Sequence, residues 1–313
     1  MEERNAIELT NITKDFKVLN RHEGLKGSIR DLFSRDYRTV RAVDDVSMQI
    51  KEGEIVGYLG PNGAGKSTTI KMMTGVLEPT SGSIVVNGVV PYKDRVKSSA
   101  NIGVVFGQRS QLWWSLPLVE SFKLLKDIYL VEDKDYDDMM ALYRSFVDLE
   151  PLLHKTVRQM SLGQRTLSDI LAAFLHNPGI VFLDEPTIGL DVSMKATIRE
   201  LIKGLNKEKK TTVILTTHDM GDVDALCERI VIIDKGRKIY DNDIEHLKNF
   251  FGSYRTLKVR VGSDTWEEHL IDEKNEDVME VLREIQKTKK VRDMKLEEIS
   301  TEEVIKKIYE GGV

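Results

Sequence analysis

One nine-residue stretch, Gly60-Pro-Asn-Gly-Ala-Gly-Lys-Ser-Thr68, restricts the fold of this chain more than any other feature. Glu54-Ile-Val-Gly57 ahead of it reads as a buried strand, and Thr69-Ile-Lys-Met-Met-Thr74 behind it reads as a helix. A glycine-rich loop between a strand and a helix, closed by lysine and a hydroxyl, is the arrangement that cradles phosphate. Gly60, Gly63 and Gly65 permit backbone angles that side chains would forbid. The loop Gly60, Pro61, Asn62, Gly63, Ala64, Gly65 can then turn its N–H groups onto an anion, with the positive end of the following helix pointing the same way. Lys66 supplies a mobile charge for outer phosphates, Ser67 a hydroxyl for Mg²⁺, and Thr68 a further phosphate contact. A glycine-rich turn that binds nothing has no packing reason for a lysine and two hydroxyls at the mouth of a helix.

The 313 residues suffice for one large or two modest domains, and a hydrophobic content of 41% can build a core. A net charge of −5 argues against a whole-surface nucleic-acid binder. The single cysteine, Cys227, rules out an internal disulfide and fits a reducing compartment. It shares helical spacing with Val223, Leu226 and Ile230, which predicts burial. Met1-Glu-Glu-Arg has no apolar signal core. No window reaches the ~20 apolar residues of a membrane helix. Work at a membrane would therefore go through a partner.

Along the chain, Ala6–Thr10 and Val40–Ile50 alternate as strands. They flank Lys17–Arg38, a basic, glycine-punctuated stretch read as an inserted surface element, weakly helical at Ser28–Phe33. Strands follow at Ser83–Gly88 and Asn101–Phe106. Residues 119 to 176 switch to helical spacing, with helices over Glu120–Tyr129, Tyr136–Val147 and Ser161–Leu175 and no strand between them. Strand and helix then alternate: Ile180–Leu183, Met194–Leu205, Thr211–Thr216, Asp222–Glu228, Ile230–Asp234 and Lys238–Tyr240. Past Ser253 the chain is more charged, with a strand at Thr256–Val261, helices at Asp277–Ile285 and Thr301–Tyr309, and a strand near Val291–Leu296. The expected class is α/β: a P-loop NTPase core, a mixed sheet flanked by helices, with an inserted α-helical subdomain over roughly 110–176 and an antiparallel β portion. The expected domains are 1–245 and a small C-terminal α+β appendix, 246–313. The run Lys287–Lys290 reads as a solvated turn.

Ile180-Val-Phe-Leu183 runs into Asp184-Glu185-Pro186. A carboxylate at a strand tip, Asp184, can reach Mg²⁺ through water, and its neighbour Glu185 suits a general base that polarises water for in-line attack on a γ-phosphate.

Taken in order, these motifs resemble the nucleotide-binding subunit of an ATP-binding-cassette (ABC) transporter, over roughly residues 5 to 245. Met160-Ser-Leu-Gly-Gln164 resembles the family's signature sequence, usually Leu-Ser-Gly-Gly-Gln, with Leu162 where a glycine is usual. Gln108 matches the Q-loop glutamine, with Gln111 as its rival. Asp191 matches the D-loop, His218 the switch histidine, and Phe16 the aromatic under adenine, with Phe33 and Tyr37 as rivals. The resemblance implies two ATP molecules sandwiched head to tail between two protomers. Ser161, Leu162, Gly163 and Gln164 would then contact ATP held by the other copy. It also implies hydrolysis by Glu185 and His218, and Mg²⁺ held by Ser67, Gln108 and Asp184.

The partners implied are a second copy of the chain, or a homologous ATPase subunit, and polytopic transmembrane permease subunits. No nucleic acid is expected. The location implied is peripheral, at the cytoplasmic face of the cell membrane. Trp113 and Trp114, directly after the Gln108 loop, read either as core or as lining for a groove that receives a membrane partner. The stretch from Gln111 to Pro117 and the long N-terminal insertion resemble a bacterial branch of drug, viologen and polysaccharide exporters. The rival functions are a soluble ABC-type ATPase acting on ribosomes or DNA, and a regulatory nucleotide-binding module. One cassette and no sustained heptads weigh against the former; intact Lys66, Asp184, Glu185 and His218 weigh against the latter.

Overall fold

A computed structural model describes residues 4–20, 37–107, 110–250, 252, 254–261 and 265–309. The strands are β1 (Asn5–Leu19), β2 (Tyr37–Lys51), β3 (Ile55–Leu59), β4 (Ser81–Val86), β5 (Ile102–Phe106), β6 (Ile180–Asp184), β7 (Thr212–Thr216), β8 (Arg229–Asp234), β9 (Arg237–Asp243), β10 (Tyr254–Val261), β11 (Thr265–Asp272) and β12 (Val291–Glu298). The described helices are α1 (Lys66–Met73), α2 (Arg95–Ser99), α3 (Leu118–Ile128), α4 (Asp133–Phe146), α5 (Glu150–Leu153), α6 (Leu162–Phe174), α7 (Val192–Lys209), α8 (Met220–Leu226), α9 (Ile244–Phe250), α10 (Val278–Thr288) and α11 (Thr301–Tyr309). They fall into two compact units, Met1–Asp241 and Asn242–Val313.

The first unit is built on a six-stranded sheet in the order β5-β6-β7-β3-β8-β9. Five of its strands, β5, β6, β7, β3 and β8, run parallel to one another. Strands covered on both faces carry near-continuous apolar runs. β3 and β7 are accordingly buried at every residue, and β6 and β8 in their middles. A second, antiparallel sheet, β2-β1-β4, contributes Ile7, Leu9, Ile12, Val46 and Ile50 to the same core as Tyr58, Met72 and Phe182. The parallel sheet matters for function because β3, β6 and β7 end at neighbouring places, where ligands of open α/β sheets bind.

The hairpin of β1 and β2 is longer than alternation suggested. β1 continues to Leu19 and pairs with β2 out to Leu19↔Tyr37, so both ends of the stretch 17–38 are ladder rather than insertion. Register shifts near Ile12 and Lys14, and Asn11 at φ 49°, break the alternation that a reader of the sequence follows. Ser28–Phe33 lies outside the described residues. α1 begins at Lys66, not Thr69, so the lysine and the hydroxyls belong to its first turn.

The helical region holds α3 to α6. Tyr143 on α4 is fully buried, donates to Leu171 O on α6 at 2.6 Å and tilts against Phe122 of α3 at 6.5 Å. Cys227 is buried against the backbone of Gly57, and burial pushes its thiol pKa up.

The second unit is an antiparallel sheet, β11-β10-β12. Leu282 of α10, with Val278, Val281 and Ile285, packs on Leu257, Val259, Val261 and Ile271. Thr256 donates to Glu303 of α11, and Lys258 on β10 pairs with Glu268 and Glu297 on its two neighbours. Among the described residues no helix is long and apolar enough to cross a membrane.

Candidate functional site

The loop after β3 is shaped by what a side chain would strike. A Cβ on Gly60 would lie 2.5 Å from the carbonyl oxygen of Ile233, and one on Gly65 would lie 2.5 Å from that of Ala42. Both obstacles are backbone of neighbouring strands and cannot swing aside. Gly65 also sits at φ 109°, where glycine is favoured. Ala64 O accepts from Gly236 N at 2.9 Å, which pins the loop to the turn between β8 and β9. Lys66 is 8% exposed and folds back to donate to the carbonyls of Gly60 and Pro61. Burial holds its pKa below the usual value, and the charges of Glu185 and Asp184 pull the other way.

The parallel register sets Asp184, at the end of β6, opposite Thr216, at the end of β7. Thr216 Oγ1 donates to Asp184 Oδ1 at 2.5 Å. Glu185 then turns through φ 55°, a left-handed conformation that a non-glycine residue adopts only when its surroundings hold it there. Its N–H donates to Thr216 O at 2.9 Å. Its carboxylate meets His218: Oε2 accepts from the His218 N–H at 3.4 Å, and Oε1 stands 3.3 Å from His218 Nε2.

These groups share one cavity of about 310 Å³, floored by Pro61, Asn62, Gly63, Gly65, Lys66, Ser67 and Thr68. Asp184, Glu185 and His218 form one side, and Ala42 of β2 contributes to the wall. Cationic and hydroxyl groups at a helix start thus face two carboxylates and an imidazole, an arrangement suited to holding a triphosphate and delivering water to its outer end. Among the described residues no group of three or more His, Cys, Asp and Glu side chains could hold a metal ion alone. Mg²⁺ at nucleotide sites needs only one or two protein oxygens, with phosphates and water completing the shell. Ser67 and Asp184 in the cavity fit that requirement.

The other expected residues stand elsewhere. Ser161 caps α6: its Oγ accepts from Gln164 N at 3.2 Å, and Gln164 Oε1 accepts from Ser161 N at 3.3 Å, a reciprocal capping box. Leu162 is 41% exposed, and Gly163 is buried where a Cβ would lie 2.7 Å from Met194 Cγ. None of these four residues lines the cavity. Asp191 caps α7, accepting from Met194 N at 2.9 Å. Phe16 is half-buried in β1 opposite Val40, with Lys14 Nζ 5.4 Å from its ring centre, and does not line the cavity. Tyr37 is exposed at the far end of that hairpin, and Phe33 lies outside the described residues. Gln108 also lies outside them. Gln111 is turned to α6, donating through Nε2 to Asp169 O at 3.1 Å.

Trp113 and Trp114 are not core. They are 39% and 53% exposed, and the Arg165 guanidinium lies 4.5 Å from a Trp114 ring centre. Sequence reading missed Thr216 as the partner of Asp184, and it missed Asp222, a fully buried carboxylate beneath His218. Thr216 acts across 32 residues of sequence, and Asp222 joins partners as far apart as Thr187 and Thr217, which local spacing does not bring together.

Residues 43–188 match the family described as ABC transporter. The ABC transporter ATP-binding protein NatA of Bacillus subtilis is 34% identical over 69% of this chain and 87% of its own length. The linearmycin resistance ATP-binding protein LnrL of the same organism is 36% identical, over 71% and 68% respectively. The cholesterol transporter ABCA5 of Rattus norvegicus is 30% identical over 86% of this chain, which spans only 16% of that protein. Among solved structures, the dimeric post-hydrolysis state of the cassette MJ0796, bound to ADP and Pi, superimposes with a TM-score of 0.61. It is 26% identical, over 76% of this chain and 98% of that one.

Proposed function

The chain belongs to the ATP-binding proteins of ABC transporters, and from that premise we propose that it powers export through separate polytopic membrane subunits, with Glu185 as the general base of its ATPase cycle. The observation that carries the catalytic part is the meeting of Lys66, Ser67, Glu185 and His218 in one cavity. Lys66 and the loop N–H groups bind the β- and γ-phosphates. Glu185 takes the proton of the attacking water, and His218, at hydrogen-bonding distance from it, orients that water and the γ-phosphate. Ser67, Asp184 and Gln108 would hold Mg²⁺, which neutralises phosphate charge. Phe16 would offer its ring face to adenine.

Ser161, Leu162, Gly163 and Gln164 stand outside the cavity of their own chain, which supports their contacting ATP on another copy. The α6 N-terminus, already capped by Ser161, retains free N–H groups and a positive dipole end for a γ-phosphate. Asp191 would stand at the same seam. Export rather than import is supported by the likeness to a protein named for linearmycin resistance, and by the Gln111–Pro117 stretch with its exposed tryptophans. The placement that follows is the cytoplasmic face of the membrane, by way of the permease. No nucleic-acid partner is part of this reading.

Glu185→Gln tests the core of the assignment, because the amide keeps the shape and cannot take a proton. Steady-state phosphate release should fall by about 100-fold or more, with ATP still bound. Turnover at the wild-type rate would remove Glu185 from the role of base. Affinity isolation from solubilised membranes should recover a polytopic partner; recovery of ribosomes or DNA instead would refute the transport reading.

A further inference from the structure

Next to the segments carrying Glu185 and His218 lies an ionic knot around a buried carboxylate, which does not line the nucleotide cavity. Asp222 of α8 has no exposed surface. Its Oδ1 accepts from Arg199 Nε at 2.7 Å, and a terminal nitrogen of Arg199 lies at the same distance. Its Oδ2 accepts from Thr217 Oγ1 at 2.9 Å and from Thr187 Oγ1. Arg199 also reaches Asp219 Oδ1 at 3.3 Å, and Lys195 pairs with Asp219 as well.

The geography of these bonds is specific. Thr187 is two residues beyond Glu185, and Thr217 immediately precedes His218. Lys195 and Arg199 stand on α7, which begins at its cap, Asp191. One carboxylate therefore ties together the segment carrying Glu185, the segment carrying His218, and α7. A buried charge is no better for stability than well-packed apolar side chains. What it does supply is fixed geometry, since four donors must keep their places for the anion to stay compensated. Glu185 needs such a hold, because its left-handed backbone is not one that its own chemistry favours.

We propose that Asp222 is a positioning residue for ATP hydrolysis, fixing the separation of Glu185 and His218 and making it depend on where α7 lies. The proposal rests on the roles given to those two residues above. A shift of α7, whose first turn follows Asp191, then reaches both reacting groups through the Arg199–Asp222 contact.

The test uses the full chain in single-turnover hydrolysis, with equilibrium ATP binding and thermal unfolding measured alongside. Asp222→Asn keeps the shape, but one oxygen becomes a donor. The two threonine hydroxyls can turn to accept from it while Arg199 keeps the remaining oxygen, so the fold survives. The hydrolysis rate should fall about 5- to 10-fold, and about 100-fold in Asp222→Ala, as expected for displaced catalytic groups. ATP affinity should stay within about 2-fold. Arg199→Lys keeps the charge without the forked contact and should fall between wild type and Asp222→Ala. On a Glu185→Gln background, Asp222→Asn should cost less than it does alone, because one of the two groups it positions is already removed. Wild-type rates in both Asp222 variants would overturn the proposal. So would a parallel loss of affinity and rate, or a full multiplicative loss in the double variant. Wild-type turnover by Glu185→Gln alone is a different result, which removes the base assignment and this proposal with it.

Discussion

Asp169 on α6 is a carboxylate in a place that suits a neutral acid. It is buried, and its Oδ1 accepts from Ser110 Oγ at 2.9 Å and Gln111 N at 3.1 Å. Burial pushes its pKa from an ordinary 3.8 to about 6, against the pull of those bonds and of Arg165. Between about pH 4 and 6 the folded chain keeps a proton that the unfolded chain has lost. Stability therefore falls as pH rises through that window, by about 3 kcal/mol when complete. His176 works in the opposite sense. It is stacked on Tyr129 at 3.8 Å with Nε2 3.1 Å from Ile102 O, and burial lowers its pKa from 6.5 to about 4. Unfolding then takes up a proton below about pH 6.5, so stability falls as pH drops towards 4. The two slopes offset each other in the wild type. Asp169→Asn retains an oxygen for Ser110 and Gln111 and removes the charge. It should raise unfolding free energy by about 1–3 kcal/mol at pH 7.5 and leave it unchanged near pH 4, read from urea titrations. An equal gain at both pH values would show that packing, not ionisation, is responsible.

At the scale of elements, α6 has two duties that one substitution can separate. Its N-terminus is stabilised by the Ser161–Gln164 box, and in the proposed cycle the N–H groups that the box leaves free take a phosphate from another copy. Ser161→Asp keeps a strong helix cap, so the thermal midpoint should hold within a few degrees. The added negative charge faces the site of an incoming phosphate, so ATPase activity should drop about 10-fold or more. Unchanged activity would place the α6 N-terminus away from nucleotide. The helix and its cap were legible because a serine three residues before a glutamine precedes an apolar run with a helical period. β6 and β7 were legible because strands buried on both faces carry near-continuous apolar runs, here Ile180–Leu183 and Val213–Leu215. The loop around Lys66 was legible because few sequences satisfy its backbone and charge requirements together. Bulged β1 was cut short, because alternation is lost where the register slips. α2 and β11 were passed over: one is a single short turn set by the Asp94 cap, and the other, charged and half-exposed, carries a weak apolar signal. The network around Asp222 was hidden for a deeper reason. Its members are 23 to 35 residues from Asp222 or sit on the next turn, and only the parallel order of β6 and β7 brings them together.

At the scale of the whole molecule, the question is whether ATP alone supplies enough free energy to close two copies. Moving a pair from mostly open to mostly closed requires about 5.5 kcal/mol of differential binding, or about 10⁴-fold. Two nucleotides share that demand, so each must favour the closed form by only about 100-fold. A few charge-assisted hydrogen bonds from the facing α6 N-terminus are of that order. Each chain carries a net charge of −5, so the open form gains from mutual repulsion, and added salt should assist closure. The geometry can be read with cysteines, because the only native thiol, Cys227, is buried and held protonated. Asn62 in the phosphate loop and Leu162 beside the α6 cap are both exposed and belong to opposite halves of the proposed sandwich. In a Glu185→Gln background, a chain with Asn62→Cys mixed with one carrying Leu162→Cys should be joined by a short bismaleimide when ATP and Mg²⁺ are present. ADP should leave both chains single, and neither variant alone should give more than a trace of dimer. Joining that ignores the nucleotide would make the contact permanent rather than fuel-driven. No joining with ATP, while the membrane partner is present and phosphate is being released by the parent chain, would end the two-copy cycle for this protein.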